Sequence, residues 1–540
     1  MKRIAVFAAA TALTALTCGA YARDFGEQVE LLLNAKANSL FGVNGTLDES
    51  STTQVTGADA EADPRKLVTL AHGLTAHVVS KDPALGGNVD QIALWPSDKN
   101  PTHLIFCNEE GTAAPGIQRV TIATGEVATI LTGLNRCDPL RRTAWGTVFA
   151  AEENGAASRV VEIIDPLHTT NVTISGTTIS GGTNPGNIAL RTALGALSFE
   201  GFGVMPNGVV YYGDEKRPGT GGVGGLGGSL YKFIPTTAWV VGDPPISSLA
   251  QSPLASGRVF GFRPGRNGGN NLPPFANTDV GPGSEFGRGW WVEIVEGQMI
   301  GSVTIHKADL GAAATALHLS AYYRPEDIDV DLAALEAGNV RVCGTATGQD
   351  IPQGDNHFGE VYCLTDGTLE QAADGTPATQ TLNTLGVGNV AYTVLANSTP
   401  EYQPLVIGYF DFAMMDNIAY QPSTGNWILH EDGEGPSSPG ALKRGNDLWD
   451  CLDDGADKNN LTDGCVKIGT INDTIGAGSG GGGAEWTGGI FDATGTHFYV
   501  SIQHAIGTGT TGTPGPNYAH GYILDITGWK KLPPGHDRDD

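Results

Sequence analysis

The sequence predicts an all-β fold: a six-bladed β-propeller with large loop insertions and a short N-terminal helical extension. After about residue 66, short β-rich runs alternate with clusters of Gly, Asn, Asp and Pro, which is typical of sandwiches, barrels and propellers. A loose repeat favours the propeller among these. Its six units each have a hydrophobic strand that ends in a polar cluster and a loop, and they lie at 103–127, 146–166, 208–235, 340–366, 425–435 and 496–507.

The first 22 residues have the pattern of a secretory signal peptide. Lys2 and Arg3 form a short positive region, residues 4–16 an apolar region, and the "AYA" at 20–22 places small residues where a signal peptidase cleaves. The apolar run is too short for a transmembrane helix, and no other run approaches membrane length. We therefore expect cleavage after Ala22, no membrane span and a periplasmic or secreted protein.

The rest of the chain divides into three parts. Residues 23–66 are predicted to form an N-terminal helix, with helical apolar spacing over 24–40, and an acidic, Thr-rich linker. Residues 67–530 carry the propeller pattern, and residues 531–540 form a polar C-terminal tail.

The net charge excludes several classes of partner. The formal charge is −27, which argues against nucleic acid and anionic membranes as partners. A small anionic substrate stays compatible, because bound cations can reverse the sign of the local field. We expect a monomer that acts on a small molecule.

Six of the seven cysteines lie beyond the signal peptide, and an oxidising compartment permits three disulfides among them. No C-x-x-C pair is present, so a zinc or redox motif is not indicated. The partners are not fixed by the sequence. By neighbourhood the cysteines fall into the pairs Cys107/Cys137, Cys343/Cys363 and Cys451/Cys465.

Acidic residues recur where strands of the repeat end. The inner strands of a propeller converge on a central channel, so polar residues at one end of successive strands gather at one mouth of it. Many carboxylates there suit hard cations: calcium, or ferric iron and manganese with oxygen ligands. His504 closes a strand near this acidic set. The acidic pairs are Glu109/Glu110, Glu152/Glu153, Asp214/Glu215 and Glu431/Asp432.

The segment "YYRPEDIDVD" (322–331) offers a candidate phosphate ligand. Pro325 stiffens the backbone between Arg324 and Glu326, whose side chains point the same way in an extended chain. The planar guanidinium of an arginine matches two phosphate oxygens. A surface turn with a salt bridge is the structural alternative for this segment.

Common enzyme motifs are absent from the sequence. There is no G-x-S-x-G elbow, no P-loop lysine motif and no H-E-x-x-H. The "GVGGLG" at 222–227 fits G-x-G-x-x-G, but no helical pattern follows it, so a dinucleotide site is not indicated.

Five ordered motifs resemble those of the PhoX-type alkaline phosphatases, over most of residues 100–505. The most specific elements are W-G-T followed by E-E, R-P-E-D-I, and E-x-T-G followed by a strand that ends in Q-H. The five motifs are "WGTVFAAEEN" (145–154), "LSFEGFGVMPNGVVYYGDE" (197–215), "YRPEDIDVD" (323–331), "MDNIAYQPSTGNWILHEDG" (415–433) and "AEWTGGIFDATGTHFYVSIQHA" (484–505).

The resemblance implies an exported six-bladed propeller that hydrolyses phosphate monoesters with a cofactor of ferric iron and calcium ions at the channel mouth. It implies Arg324 as the phosphate-binding, catalytic arginine. It implies these metal ligands: Glu152, Glu200, Asp214, Glu326, Asn417 and Glu485. Weaker candidates for the site are Glu153, Asp416, Asp432 and His504.

The sequence departs from the family pattern at three places. Ala151 stands where the family has a metal-binding cysteine, and Phe199 where it often has histidine. Upstream of Arg324, "TALHLSAY" offers His318 and no second arginine. Alanine has no donor atom, so calcium is predicted more firmly than iron.

Two alternative functions stay open at this point. One is a calcium-stabilised propeller that binds a partner or a glycan without catalysis, with a structural calcium in the Asp/Asn-rich loop 451–465. The other is a calcium-dependent propeller lactonase or carboxyl-ester hydrolase. Neither would turn over phosphate esters.

Overall fold

The computed structural model describes most of the predicted propeller. The predicted signal peptide, most of the acidic loop 451–465 and residues 533–540 lie outside the described residues. The structure describes residues 31–217, 227–264, 288–348, 359–374, 390–397, 412, 414–433, 444–453, 464–474, 484–506 and 521–532.

Six antiparallel blades of four strands form the body, with strands numbered along the chain. Blade one contains β3 (Val89–Trp95), β4 (His103–Asn108), β5 (Pro115–Thr121) and β6 (Val127–Thr132). Blade two contains β7 (Cys137–Arg142), β8 (Thr147–Glu152), β9 (Val160–Ile164) and β12 (Ile188–Leu190). Blade three contains β13 (Phe199–Val204), β14 (Val210–Asp214), β15 (Leu230–Pro235) and β16 (Gly257–Pro264).

The second half of the ring repeats this order. Blade four contains β20 (Pro325–Val330), β21 (Asn339–Ala346), β22 (Glu360–Thr368) and β23 (Val390–Asn397). Blade five contains β24 (Met415–Tyr420), β25 (Trp427–Glu431), β26 (Asp447–Cys451) and β27 (Cys465–Ile471). Blade six contains β28 (Glu485–Phe491), β29 (His497–Gln503), β30 (Tyr522–Thr527) and β2 (Thr75–Ser80).

Further strands and short helices decorate the blades. The strands are β1 (Val68–Leu70) beside β27, β10 (Val172–Ser175) and β11 (Thr178–Ser180) beside β6, β17 (Arg288–Ile294) between β16 and β23, and the hairpin β18 (Met299–Ile300) and β19 (Val303–Thr304). The α-helices are α1 (Ala37–Leu40), α2 (Gly57–Ala62), α3 (Leu310–Leu317), α4 (Leu332–Glu336) and α5 (Leu369–Asp374). The 3₁₀ turns are Pro64–Leu67, Gly155–Ala157, Pro185–Asn187, Thr192–Leu194, Leu249–Gln251 and Pro253–Ala255.

The ring closes on itself, which confirms the predicted six-bladed propeller. Strand β2 comes from the N-terminal side of the chain and pairs antiparallel with β30, with His77 opposite Asp525. The innermost strands β3, β7, β13, β20, β24 and β28 each contact the next, and β28 contacts β3. A sheet ring closed in this way leaves only short edges exposed.

Each innermost strand carries one extra residue relative to its partner strand. Between Val89 and Ile92, for example, β3 advances three residues while β4 advances two. The same bulge occurs in β7, β13, β20, β24 and β28. A β-bulge bends a strand and re-aims its side chains. In the first five blades, the second residue of the inner strand is acidic, and the bulge lies at this residue or directly after it.

The segment before the propeller packs along blade five. Residues 31–35 and α1 are helical, within the helix predicted for 24–40. Over the predicted linker, Leu47 N donates to Lys467 O at 2.9 Å, and Val55 N donates to Asn472 O at 2.8 Å.

The cysteines pair as their neighbourhood suggests. Cys107–Cys137 joins β4 of blade one to β7 of blade two. Cys343–Cys363 joins β21 to β22, and Cys451–Cys465 joins β26 to β27. Among the described residues, no helix combines the length and the apolar character that crossing a membrane requires.

Candidate active site

Carboxylates from all six blades meet at one end of the central channel. Five come from the bulges of the inner strands and a sixth from the start of β28: Asp90, Asp138, Glu200, Glu326, Asp416 and Glu485. Residues that follow β4, β8, β14 and β25 add Glu109, Glu153, Glu215 and Asp432. We call these ten residues the channel carboxylates.

Two triads among the channel carboxylates are close enough to share a cation. In the first triad, each residue contributes one carboxylate oxygen, and these oxygens lie within 4.8 Å of one another; its members are Asp90, Glu109 and Asp138. The same holds for Glu153, Glu200 and Glu215. The first triad spans blades one and two, and the second spans blades two and three.

Burial and mutual repulsion disfavour the charged forms of these carboxyl groups. Burial, and then the neighbouring Glu109, raise the pKa of Asp90 well above its usual range. Burial, Glu215 and Glu109 raise the pKa of Glu153 to about 11. Burial raises the pKa of Asp416 to about 7, and Asp432 adds to the effect. Protons or cations must therefore compensate this cluster at neutral pH.

Arg324 is the guanidinium at the centre of the cluster. Its Nε lies 2.8 Å from Glu215 Oε1, and one terminal nitrogen lies 3.0 Å from Glu326 Oε1 and 3.5 Å from Asp432 Oδ2. It thereby links blades three, four and five. Burial alone would raise the pKa of Glu215, but Arg324 and Arg217 more than offset this and hold it at about 2.

Local backbone geometry directs Arg324 to this position. Arg324 is left-handed, with φ +56°, which is uncommon for a residue with a side chain. The following Pro325 packs against Gly228, where an added Cβ would lie 1.6 Å from the carbonyl oxygen of Asp214. Only glycine fits this close approach, which brings the start of β20 against the end of β14.

The two adjacent glutamates at 152 and 153 have different surroundings. Glu152 is fully buried, pairs with Arg159 and accepts a hydrogen bond from Asn135 N at 2.6 Å. Glu153 instead belongs to the second triad and pairs with Arg136 at 2.9 Å. The structure thus places the weaker candidate, Glu153, among the channel carboxylates and Glu152 outside them.

Three further predicted ligands lie around the cluster. Asp214 Oδ1 accepts from Ser198 N at 3.2 Å, and burial raises its pKa to about 7. Asn417 Oδ1 accepts from Gly488 N at 2.6 Å and so joins blades five and six. His504 Nε2 lies 2.9 Å from Glu485 Oε1, and burial lowers the pKa of its imidazole to about 4.

The donors present fit hard cations bound through oxygen, but not a thiolate-bound iron. The ligand atoms of both triads are carboxylate oxygens, and Asp90 Oδ1 is buried without a hydrogen-bond partner. Such a set suits calcium. Every cysteine in the described residues is in a disulfide. Ala151 and Phe199 both belong to one buried apolar cluster between blades two and three, so neither supplies a donor.

Four channel carboxylates were not among the named ligands: Asp90, Asp138, Glu109 and Glu215. Glu109 and Glu215 were predicted at the channel mouth as members of acidic pairs, whereas Asp90 and Asp138 were not predicted there. Asp90 in "VDQIALW" and Asp138 in "CDPLRR" hold the same strand position as Glu200 in "FEGFGV". An alignment of the repeat on its first strands would have found them. The acidic pairs indicated only the ends of the second strands.

A second arginine, Arg141, lies on the inner strand of blade two, three residues after Asp138. Arg141 on β7 donates to Gln91 of blade one and to Asp327 Oδ1 of blade four, the latter at 2.9 Å. These contacts join blades one, two and four across the channel.

In buffer free of divalent cations, we expect the protein to become less stable as the pH rises. The pKa values of Asp214 and Asp416 are raised from 3.8 to about 7 by folding. The folded state therefore binds more protons than the unfolded state between about pH 4 and pH 7, and this stabilisation is lost as the pH rises through 7. After divalent cations have been removed on a chelating resin at neutral pH, the melting temperature should be lower at pH 8 than at pH 5. An unchanged or higher melting temperature at pH 8 would contradict the proton-compensated cluster.

Known proteins resemble the chain in sequence and in fold. The sequence model of the family described as "Alkaline phosphatase PhoX" matches residues 183–506. No curated protein sequence matches the chain.

Among solved structures, Pseudomonas fluorescens PhoX in complex with vanadate, a transition state analogue, has 15% identity and a TM-score of 0.55 over 89% of this chain and 98% of that one. The PQQ-bound aldose sugar dehydrogenase of Streptomyces coelicolor has 12% identity and a TM-score of 0.33, over 85% and 99% of the two chains. The gluconolactonase XC5397 of Xanthomonas campestris has 10% identity and a TM-score of 0.35, over 89% and 96%.

Proposed function

The chain belongs to the PhoX family of alkaline phosphatases, and we propose that it hydrolyses phosphate monoesters at the channel carboxylates. The observation that supports this most is the position of Arg324, a buried guanidinium surrounded by carboxylates of three blades. Because carboxylates surround Arg324, it can bind a dianion only when cations also bind these carboxylates and offset their negative charge.

Arg324 has the geometry to hold a phosphoryl group. Its Nε and a terminal nitrogen already donate in two directions, towards Glu215 and Glu326. The same fork can donate to two oxygens of a phosphoryl group. Donors placed in advance stabilise the charge that spreads over these oxygens in the transition state. Thr347 N donates to the carbonyl oxygen of Arg324 at 3.0 Å and so restrains this backbone.

The two triads would hold the cations: Asp90, Glu109 and Asp138 in one, and Glu153, Glu200 and Glu215 in the other. We propose calcium as the principal cation, because oxygen is the donor in both. When bound, hard cations would offset the negative charge of a phosphoryl group and polarise its bonds. Glu326, Asp416 and Glu485 complete the carboxylate wall on the side of blades four to six.

We also propose that the protein is exported and acts as a monomer. The three disulfides support an oxidising compartment. The residues 1–22 have the signal-peptide pattern that would direct the chain there.

The direct test is hydrolysis of an aryl phosphate such as p-nitrophenyl phosphate. We expect phosphate release in calcium-containing buffer, its loss after dialysis against EGTA, and its return when calcium is added. Mass spectrometry of metals in the protein from its native host would show which cations it carries. Magnesium chloride at the same ionic strength serves as a matched control for a nonspecific salt effect.

Each outcome separates the proposal from its alternatives. Calcium that raises the melting temperature without turnover of any phosphate ester would favour a binding protein. Turnover of lactones or carboxyl esters, with no phosphate release, would favour a propeller lactonase or esterase. Either result would overturn the phosphatase proposal.

A further inference from the structure

A cavity of about 670 Å³ opens beside the channel carboxylates, between blades two and three. Its inner side contains Glu153 and Glu215 of the second triad. Its outer side is formed by the loop before β7, the residues after β14 and helix α3. Arg136, Lys216 and Arg217 supply three positive charges to this lining.

The positive groups face solvent while the carboxylates lie beneath them. The Arg136 side chain is 45% exposed and the Glu153 side chain with which it pairs is 8% exposed. The Arg217 side chain is 53% exposed and its partner Glu215 is 10% exposed. Asp309 is the exposed acidic residue of the lining, and its side chain accepts a hydrogen bond from Ala312 N at the start of α3. The lining also contains the buried carboxyl groups of Glu153, Asp214 and Glu215, so the charged groups that a molecule meets at the cavity surface are three cations and Asp309.

The cavity is connected to Arg324 through a shared carboxylate oxygen. Glu215 Oε1 lies 2.8 Å from Arg324 Nε and 3.0 Å from Arg217 Nε. A group attached to a phosphoryl held by Arg324 can thus reach Arg217. Arg136 is fixed by its backbone on the other side, since its N donates to Glu110 O and its carbonyl accepts from Glu153 N.

We propose that this cavity binds the leaving group of the ester, and that Arg136, Lys216 and Arg217 select leaving groups with a second anionic group, such as bisphosphates. The inference rests on the proposed phosphatase function, because the cavity is defined relative to the phosphoryl site. In a chain of net charge −27, three accessible cations on one wall, above buried carboxyl groups, make this cavity a local site for anions. Each charge-assisted contact adds to affinity only for esters that carry the second group.

Binding of two non-hydrolysable probes tests the inference without turnover. By isothermal titration calorimetry in calcium-containing buffer, propane-1,3-bisphosphonate should bind about tenfold or more tightly than propylphosphonate. Arg136→Gln and Lys216→Gln should each remove much of this advantage, and Lys216→Gln should leave propylphosphonate binding nearly unchanged. Arg258→Gln is the matched control, because Arg258 is an exposed arginine of β16 that pairs with Glu293 at 3.6 Å, outside the cavity.

The outcomes separate this inference from the phosphatase proposal. Equal affinity of the two probes, or an advantage that survives both cavity variants, would overturn the inference even if p-nitrophenyl phosphate is hydrolysed. A bisphosphonate preference that depends on Arg136 and Lys216, in a protein that hydrolyses no phosphate ester, would support the cavity and overturn the phosphatase proposal. Failure of both probes to bind would overturn the inference, and it would overturn the phosphatase proposal as well if p-nitrophenyl phosphate is not hydrolysed.

Discussion

Arg324→Ala is expected to lower kcat/KM for an aryl phosphate by about 10³-fold, in line with the loss of an arginine that stabilises a transferring phosphoryl group. The variant removes both donors that face Glu215 and Glu326. Most of the loss should appear in kcat, because the charge on the phosphoryl oxygens is greatest in the transition state. Steady-state kinetics at saturating calcium would measure it.

The same substitution also removes a cation from a buried acidic cluster, so folding must be checked separately. Arg324→Lys is the matched variant, because it keeps the charge near Glu215, Glu326 and Asp432 but has no planar fork. We expect it to preserve the melting temperature and still lose about 10²-fold in kcat. Full activity in Arg324→Ala would remove Arg324 from the mechanism. Equal activity of Arg324→Lys and wild type would reduce its role to charge balance.

The sequence predicted the architecture because the repeat, although loose, is a local pattern within each blade. A hydrophobic strand that ends in a polar cluster recurs whatever the length of the intervening insert, and this pattern alone indicated six blades. The N-terminal strand β2, which closes the ring beside β30, was not separately predicted. Its pairing joins residues some 450 positions apart, and no local pattern specifies such a contact.

The site was harder to predict than the fold, because it depends on which of two neighbouring residues faces the channel. Adjacent residues of a strand point to opposite sides, and a shift of one residue exchanges them. The bulge in each inner strand makes such a shift. The bulge of β7 lies opposite the end of β8. The segments "CDPLRR" and "WGTVFAAEEN" contain no pattern that predicts this position. The family resemblance therefore led to Glu152, while the geometry favours Glu153.

Substitution of these two neighbours separates a ligand from a structural residue. Glu153→Gln should lower phosphatase activity about 10²-fold and raise the calcium concentration needed for half-maximal activity, since a triad loses a negative ligand. Glu152→Gln should keep both the activity and the calcium requirement. It should instead destabilise the fold by about 3–5 kcal/mol, because Arg159 loses a buried partner. Activity titrations with calcium and thermal melts on the two variants provide all of these values.

The two variants should also differ in their melting temperatures without calcium and in the stabilisation that calcium adds. Folding raises the pKa of Glu153 to about 11, which favours the protonated, uncharged form of its carboxyl group at neutral pH when no cation is bound. Glutamine has nearly the same shape and charge as that form, so Glu153→Gln should leave the melting temperature in EGTA unchanged or slightly higher. It should reduce the stabilisation that calcium adds to the wild type, because binding to the folded state is what stabilises it. The opposite pattern, with Glu152→Gln losing the calcium effect and Glu153→Gln unfolding in EGTA, would assign the ligand to Glu152 and contradict the geometry of blade two.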